Sequence, residues 1–562
     1  MVHSHRTQLR LPMVRKRCVF ILRIPLPSKF LYVLLVLLAF HVAGCSGLPS
    51  RYKSEDEKYL PHYLFVDRDG HAKRTDGSGM HKLALQEHLD KHFFKDIGDR
   101  MQALRSQCKA DRCPPLQLLI YIHGGMNGYN AAFDRMQRLL HHDAHDATPK
   151  GLLNPHNTSY YPFFINWNSE PIDSMVDDLF NIRFGERQSL AVTVPTMPFV
   201  LLGRLAGSVG SVPVSLAAMG SNIQESFAGA IEQGDGVGCA LADAMAYAPV
   251  FPLYAVTAPL LEGFGTPAWA TMKRRAELAV ESRLPAESKS SEGAVRTVFN
   301  AMIRHLKAKT EDGGPIIPVE ITLVGHSMGT MILNRLLPLI DTSQHITVKH
   351  IVYMAAAAPI DELDQMVVPF LERHQEATLW IFNLNRRDEA REIALGGYIF
   401  FMPRGTLLAW IDTFFEPSMT IGQMTQGRVE NMNTFYRCDL TANGDEAPGC
   451  PPEATSKPLA LSSRRAVPFS GFIERQITHN APFPLHQVRL FETSRELGHN
   501  NAPETHGDFS QSRYLGQVLC QVDATALEKT ICGKRLRDFD PPLREERNIR
   551  ACGVFTPFRR VN

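Results

Sequence analysis

The chain reads as an α/β protein: a mostly parallel central sheet flanked by helices, carrying a large apolar helical insertion of cap or lid type. Three observations predict this. Short β-branched or aromatic runs alternate with stretches of helical period, the pattern of βα units feeding a parallel sheet. One run, Val319–Val324, leads without a break through a glycine-flanked turn into a helical stretch. And residues 190–265 hold only six charged residues in 76, against 21% over the whole chain. With 562 residues, 44% of them apolar, the chain has ample material for a buried core and lacks the bias of a disordered, collagen-like or polytopic membrane protein.

Residues 1–44 carry seven Lys/Arg and no acid, which leaves 53 basic against 58 acidic groups in residues 45–562. That net negative remainder argues against nucleic acid as a partner. The basic leader runs into Phe30–Gly44, 15 residues of almost unbroken apolar sequence, short for a bilayer span but of signal-peptide length. It ends in Val42-Ala43-Gly44-Cys45. This resembles the lipobox of bacterial lipoproteins, and the resemblance implies cleavage before Cys45, lipidation of Cys45, and a lipid-anchored place in the cell envelope. Ser46, rather than Asp, then implies the outer membrane. An uncleaved anchor helix is the other reading of the same residues.

Export would put the thiols in an oxidising compartment. With Cys18 and Cys45 of the leader set aside, Cys108 with Cys113, Cys438 with Cys450 and Cys520 with Cys532 are close enough in sequence to pair, leaving Cys239 and Cys552. No zinc-type spacing occurs. His141, His142, Asp143, His145 and Asp146 form a metal-like cluster, but they follow a helical stretch, where histidines favour the negative dipole end, so no metal or other cofactor is expected.

Taken in order, 45–114 is an N-terminal extension and 115–189 opens the core, with a strand at Leu116–Ile122, a helix over Asn130–Leu140 and a strand at Tyr161–Trp167. In the helix, Phe133, Met136, Leu139 and Leu140 share one side. The insertion spans 190–290, where repeated Gly and Pro predict short helices rather than one long span; besides a cap or lid over a site, a buried core insertion and a pair of membrane-embedded hairpins fit the same composition. Residues 291–395 resume the core with a helix at Ala294–Leu306, the strand Val319–Val324, the helix Gly329–Leu337 and strands at Thr347–Met354 and Ala377–Leu384. A second insertion covers 396–480, its apolar part Gly396–Phe415 joining the first. Residues 481–562 close the core with the strand Gln487–Thr493 and a helix near Ser510–Leu519.

The chemistry lies in two loops. Gly325-His326-Ser327-Met328-Gly329 is G-x-S-x-G in strand–turn–helix context. Such a turn exposes the Ser327 oxygen on a strained backbone, and side chains at 325 or 329 would collide with neighbouring chain. Earlier, Tyr121-Ile-His123-Gly124-Gly125-Met126-Asn127-Gly128 follows a strand, as a loop donating N–H groups to an oxyanion should. On these two loops, and on the order of elements over roughly 115–520, the chain resembles the α/β-hydrolase superfamily, in particular its serine esterases and lipases. The resemblance implies Ser327 as nucleophile and the amides of Gly125 and Met328 as the oxyanion hole, with Met126 as the neighbouring donor. It also implies an acid after a later strand and a histidine beyond the last one. Asp388, after Leu379–Leu384, is the leading acid, and Asp361, after Ala355-Ala-Ala-Ala-Pro359, its rival. Of the histidines that follow, His479 and His486 lie too close to a strand. His506 and then His499 fit the base.

The expected activity is hydrolysis of acyl or lipid esters through a Ser–His–Asp triad. The same groups would serve an acyltransferase, and a non-catalytic envelope lipoprotein could keep the scaffold alone. Oligomeric state, acyl length and the alcohol portion are not written in the sequence.

Overall fold

The computed structural model describes residues 57–75, 80–109, 112–140, 151–154, 158–183, 186–210, 251–282, 291–310, 315–340, 345–384, 386–392, 405–416, 421–432, 487–492, 505–523, 525–527 and 532, with isolated positions between 213 and 241. Its centre is a nine-stranded sheet. In chain order the strands are β1 (Tyr63–Val66), β2 (Ala72–Thr75), β3 (Met80–Lys82), β4 (Leu116–Ile122), β5 (Tyr160–Trp167), β6 (Val319–His326), β7 (Ile346–Met354), β8 (Thr378–Asn383) and β9 (Val488–Glu492). Across the sheet they run β9-β8-β7-β6-β4-β5-β1-β2-β3. Every pairing from β9 to β1 is parallel; β2 and β3 add an antiparallel hairpin at the β1 edge. The fold is therefore α/β, as the alternation of runs predicts.

Parallel strands covered on both faces need apolar residues at nearly every position, not at every second one. β5 obliges, with all eight residues buried, and β6 exposes only Glu320 in part. Around the sheet lie α1 (Phe94–Arg105), α2 (Tyr129–Leu140), α3 (Pro171–Asn181), α4 (Leu190–Val209), α5 (Phe251–Val280), α6 (Ala294–Thr310), α7 (Gly329–Leu336), α8 (Val368–Arg373), α9 (Arg386–Arg391) and α10 (Ser512–Val522). Phe133, Met136 and Leu139 are fully buried, the face that their spacing marks.

Two features depart from the sequence reading. The segment before residue 115 is part of the sheet: Tyr63–Val66 pairs with Phe164–Trp167 of β5. Strands of four, four and three residues are too short to carry a periodic signal. And the charge-poor stretch is not chopped at each proline. α4 runs for 20 residues through Pro195 and Pro198, and α5 for 30 through Pro259 and Pro267. Tertiary packing outweighs the local penalty. α5 packs against α3, α4, α6 and α7, and its Trp269, Met272, Ala276, Ala279 and Val280 belong to the core. The two apolar segments do meet, since Thr266 Oγ1 donates to the Phe414 carbonyl (3.1 Å) and Trp269 Nε1 to Glu416 (2.8 Å). Most of 211–250, where a lid would have to be read, lies outside the described residues, as do Cys45, His141–Asp146, Cys438, Cys450 and His499.

Disulfides join Cys108 to Cys113 and Cys520 to Cys532. Among the described residues no helix is long and apolar enough to cross a membrane.

Candidate active site

Strand order places the site. The chain steps from β4 outward to β5, then returns and steps the other way through β6, β7, β8 and β9. The order reverses between β4 and β6, and at such a switch point the loops leaving two neighbouring strands diverge and open a crevice at their carboxyl ends. The loop after β4 is His123-Gly124-Gly125, and the turn after β6 holds Ser327. Two segments far apart in sequence thus meet over a single sheet edge.

Ser327 has φ +51°, a left-handed conformation that costs a residue with a side chain of order 1–3 kcal/mol. The surroundings hold it there. Its N–H donates to the Met354 carbonyl (2.9 Å), and its own carbonyl accepts from the N–H groups of Thr330 and Ala357 (3.1 Å each) and from Thr330 Oγ1 (2.6 Å). The flanking glycines are steric necessities. A Cβ at Gly329 would stand 2.3 Å from the Ile122 carbonyl oxygen, and one at Gly325 would stand 2.8 Å from Leu333. The helix α7 begins at Gly329, so its positive end faces the turn.

The glycine loop is equally determined. A Cβ at Gly124 would lie 2.7 Å from Ser327 Cβ, so the loop backbone rests directly on the Ser327 turn. Its carbonyls are held away from the site: Asn127 Nδ2 donates to the carbonyls of Gly124 (3.0 Å) and Gly125 (2.7 Å), and Ser169 Oγ reaches the Gly124 carbonyl (3.2 Å). Arg135 Nη2 fixes the amide of Asn127 by donating to its Oδ1 (2.9 Å). His123 accepts the Trp167 N–H on Nε2 (3.0 Å) and therefore donates from Nδ1 to the Gly124 carbonyl (2.7 Å). Burial drives the His123 pKa down to about 3, which keeps this tautomer neutral. The Met126 N–H is already given to the Ser169 carbonyl (2.9 Å), which removes it as an oxyanion donor. No acceptor among the described residues takes the N–H of Gly125 or of Met328.

His506 opens a 3₁₀ turn, His506–Ser510, set by a reciprocal cap in which Thr505 bonds the turn and the Asp508 carboxylate accepts the Thr505 N–H (2.9 Å). Its Nε2 lies 2.8 Å from Ser327 Oγ. His326 Nε2 donates to the His506 carbonyl (3.1 Å), so the residue before the serine also positions the histidine beside it. Burial pushes His506 down to about 4 and His326 well below the ordinary histidine range, so both rings are neutral bases at neutral pH. Ser327 is 1% exposed and His506 7%, so the pair is withdrawn from bulk water.

The acid is where the structure and the sequence reading diverge in detail. Asp388 lies on α9, after β8, and makes no hydrogen bond to the His506 ring. Nδ1 of that ring is buried with no partner among the described residues. Asp361 sits against Gly422, where a Cβ would meet its carboxylate, and it too leaves the ring alone. The carboxylate that touches His506 is that of Glu392, one turn beyond Asp388, which accepts the His506 backbone N–H (2.8 Å). The segment bearing it is pinned from both sides. The Glu392 N–H donates to the Asp388 carbonyl (3.0 Å), and Gly405 and Thr406 donate to the carbonyls of Glu392 and Glu389 (2.9 Å each). A buried ion network braces it further: Arg428 bridges Glu389 and Asp412 (3.3 Å each), and Asn431 donates to Asp412 (2.7 Å). Glu392 and Ser169 carry no sequence signal, because their roles come from contacts with residues on other elements, whereas Asn127 lies within the glycine loop that its side chain braces.

No family model, curated protein or solved structure matches the chain. The geometry therefore carries the functional reading alone. Among the described residues no cluster of three or more His, Cys, Asp or Glu side chains is arranged to hold a metal ion.

Proposed function

We propose that the chain is a serine hydrolase of α/β-hydrolase type that cleaves carboxylic esters of acyl or lipid character. The single observation that carries the reading is the 2.8 Å contact between Ser327 Oγ and His506 Nε2, made at a strained turn at the switch point of the sheet. A hydroxyl held on a neutral buried imidazole is an activated nucleophile. In this scheme Ser327 Oγ attacks the ester carbonyl as its proton passes to His506 Nε2. The N–H groups of Gly125 and Met328 receive the oxyanion, and a carboxylate from the segment after β8 balances the imidazolium. The proton then goes to the leaving alkoxide. Water, deprotonated by the same nitrogen, releases the acid and regenerates Ser327.

The strand order supports the family assignment, with the glycine loop after β4, the serine after β6, carboxylates after β8 and the histidine after β9. We further propose export and lipid anchoring at Cys45, for which the two disulfides are consistent support. Hydrolysis of p-nitrophenyl esters from acetate to palmitate, compared between the protein and Ser327→Ala, tests the reading. Turnover and fluorophosphonate labelling are both expected to vanish in the variant. Equal behaviour of the two proteins on every ester would refute the esterase assignment.

A further inference from the structure

We infer that Glu392, rather than Asp388, is the carboxylate that positions and charge-balances His506; the inference rests on the reading of Ser327 and His506 as nucleophile and base. Ser327 Oγ donates to Nε2 in the resting site, so the imidazole proton sits on Nδ1. That Nδ1–H is buried and unmatched among the described residues. A buried donor without an acceptor costs about 1–3 kcal/mol, and native structures keep such groups for a reason.

The side chain already bound to the same residue is Glu392, whose Oε2 takes the His506 N–H at 2.8 Å. A carboxylate has two oxygens, and the second can accept Nδ1–H when the ring turns or becomes charged. The backbone on either side of Glu392 is tied down by Gly405 and by Asp388, so its side chain is delivered by a fixed scaffold and not by a loose loop.

The charge state of Glu392 decides the pH at which it can play this role. Glu392 is pushed up to about 8, chiefly by burial, with the bond from the His506 N–H pulling down and the charges of Asp508 and Asp388 pushing up. Below about 8 Glu392 carries its proton and cannot balance an imidazolium; above it the carboxylate is present before Ser327 gives up its proton, and the imidazolium forms beside a negative charge. The rate needs His506 neutral and Glu392 ionised. The sign follows: activity climbs as pH rises through about 8, and the slower residual activity below that limb falls only as His506 itself protonates, near 4.

The test is the second-order rate constant for phosphorylation of Ser327 by diisopropyl fluorophosphate, with loss of fluoride, measured on the whole protein from about pH 5 to about pH 10, a range that brackets the limb. In Glu392→Gln the amide oxygen still accepts the His506 N–H, so the turn is kept and only the charge is lost. That variant is expected to react about 10⁴-fold more slowly above the limb, and to lack the limb. Glu392→Asp restores the charge and recovers part of the rate. Asp388→Asn removes a charge that repels the Glu392 carboxylate, and it moves the limb to lower pH. If Asp388→Asn carries the large loss, or if neither variant does while Ser327→Ala stays unlabelled, the assignment of Glu392 is wrong and the serine-hydrolase reading stands. If the wild-type protein is not phosphorylated by the reagent at any pH, the reading itself falls and the inference with it.

Discussion

Asn127→Ala probes the glycine loop without touching Ser327 or His506. The substitution deletes two hydrogen bonds to the carbonyls of Gly124 and Gly125, 3.0 and 2.7 Å long, and strands the Arg135 group that donates to Oδ1. At about 0.5–1.5 kcal/mol each, the two bonds represent roughly 1–3 kcal/mol of restraint on the peptide planes that aim the loop amides. A peptide plane free to rotate no longer presents the Gly125 N–H to the oxyanion. Loss of one such donor slows the chemical step about 10²–10³-fold, equivalent to about 2.7–4 kcal/mol. Because the donor acts on charge that develops only in the transition state, the loss belongs in kcat, with KM little changed. Steady-state kinetics on the preferred p-nitrophenyl ester reads both constants. A variant with lowered thermal stability and unchanged kcat would refute the argument, for then the bonds support the fold and the Gly125 amide takes no part.

Other substitutions test neighbouring claims. Gly329→Ala drives a Cβ to 2.3 Å from the Ile122 carbonyl, a backbone atom with nowhere to go; the expected cost is at least about 1–3 kcal/mol in urea unfolding, with activity lost. Gly98→Ala is its counterpart in the interior of α1. Nothing lies within 4 Å of the new methyl, so a gain of about 0.5–1 kcal/mol at unchanged activity is expected, and a loss would mean that this face of the helix is not open. Arg428→Met leaves Asp412 and Glu389 buried without their shared cation, which should destabilise by about 3–5 kcal/mol in chemical denaturation; a neutral result would mean that water reaches the network. Replacing Cys520 and Cys532 by serine opens a loop of sequence separation 12 and should cost about 3 kcal/mol, whereas equal stability of the oxidised protein and the variant would speak against the bond.

Much of this molecule is legible in the sequence because the relevant physics is local. A buried parallel strand must be apolar along most of its length, so Leu116–Ile122 and Val319–Val324 announce themselves. The turn around Ser327 needs glycine on both sides, since backbone and side chains of adjacent elements close in there, and that requirement is written within five consecutive residues. His506 is found by its place after the last strand.

What only the tertiary structure decides is which distant groups meet. The hairpin β2–β3 joins the sheet through a pairing of β1 with β5, from Tyr63 to Phe164 in the chain, that no short pattern encodes. α4 and α5 persist through prolines that local propensity reads as breaks, because packing surface is gained along their length. Ser169 supports the glycine loop from 45 residues on, and Glu392 reaches the His506 N–H across 114. A carboxylate's part in a site depends on the groups within hydrogen-bonding range and on how much water is excluded around them. Both are set when the loops after β8 and β9 fold against each other, and neither leaves a spacing or a period for the sequence to display.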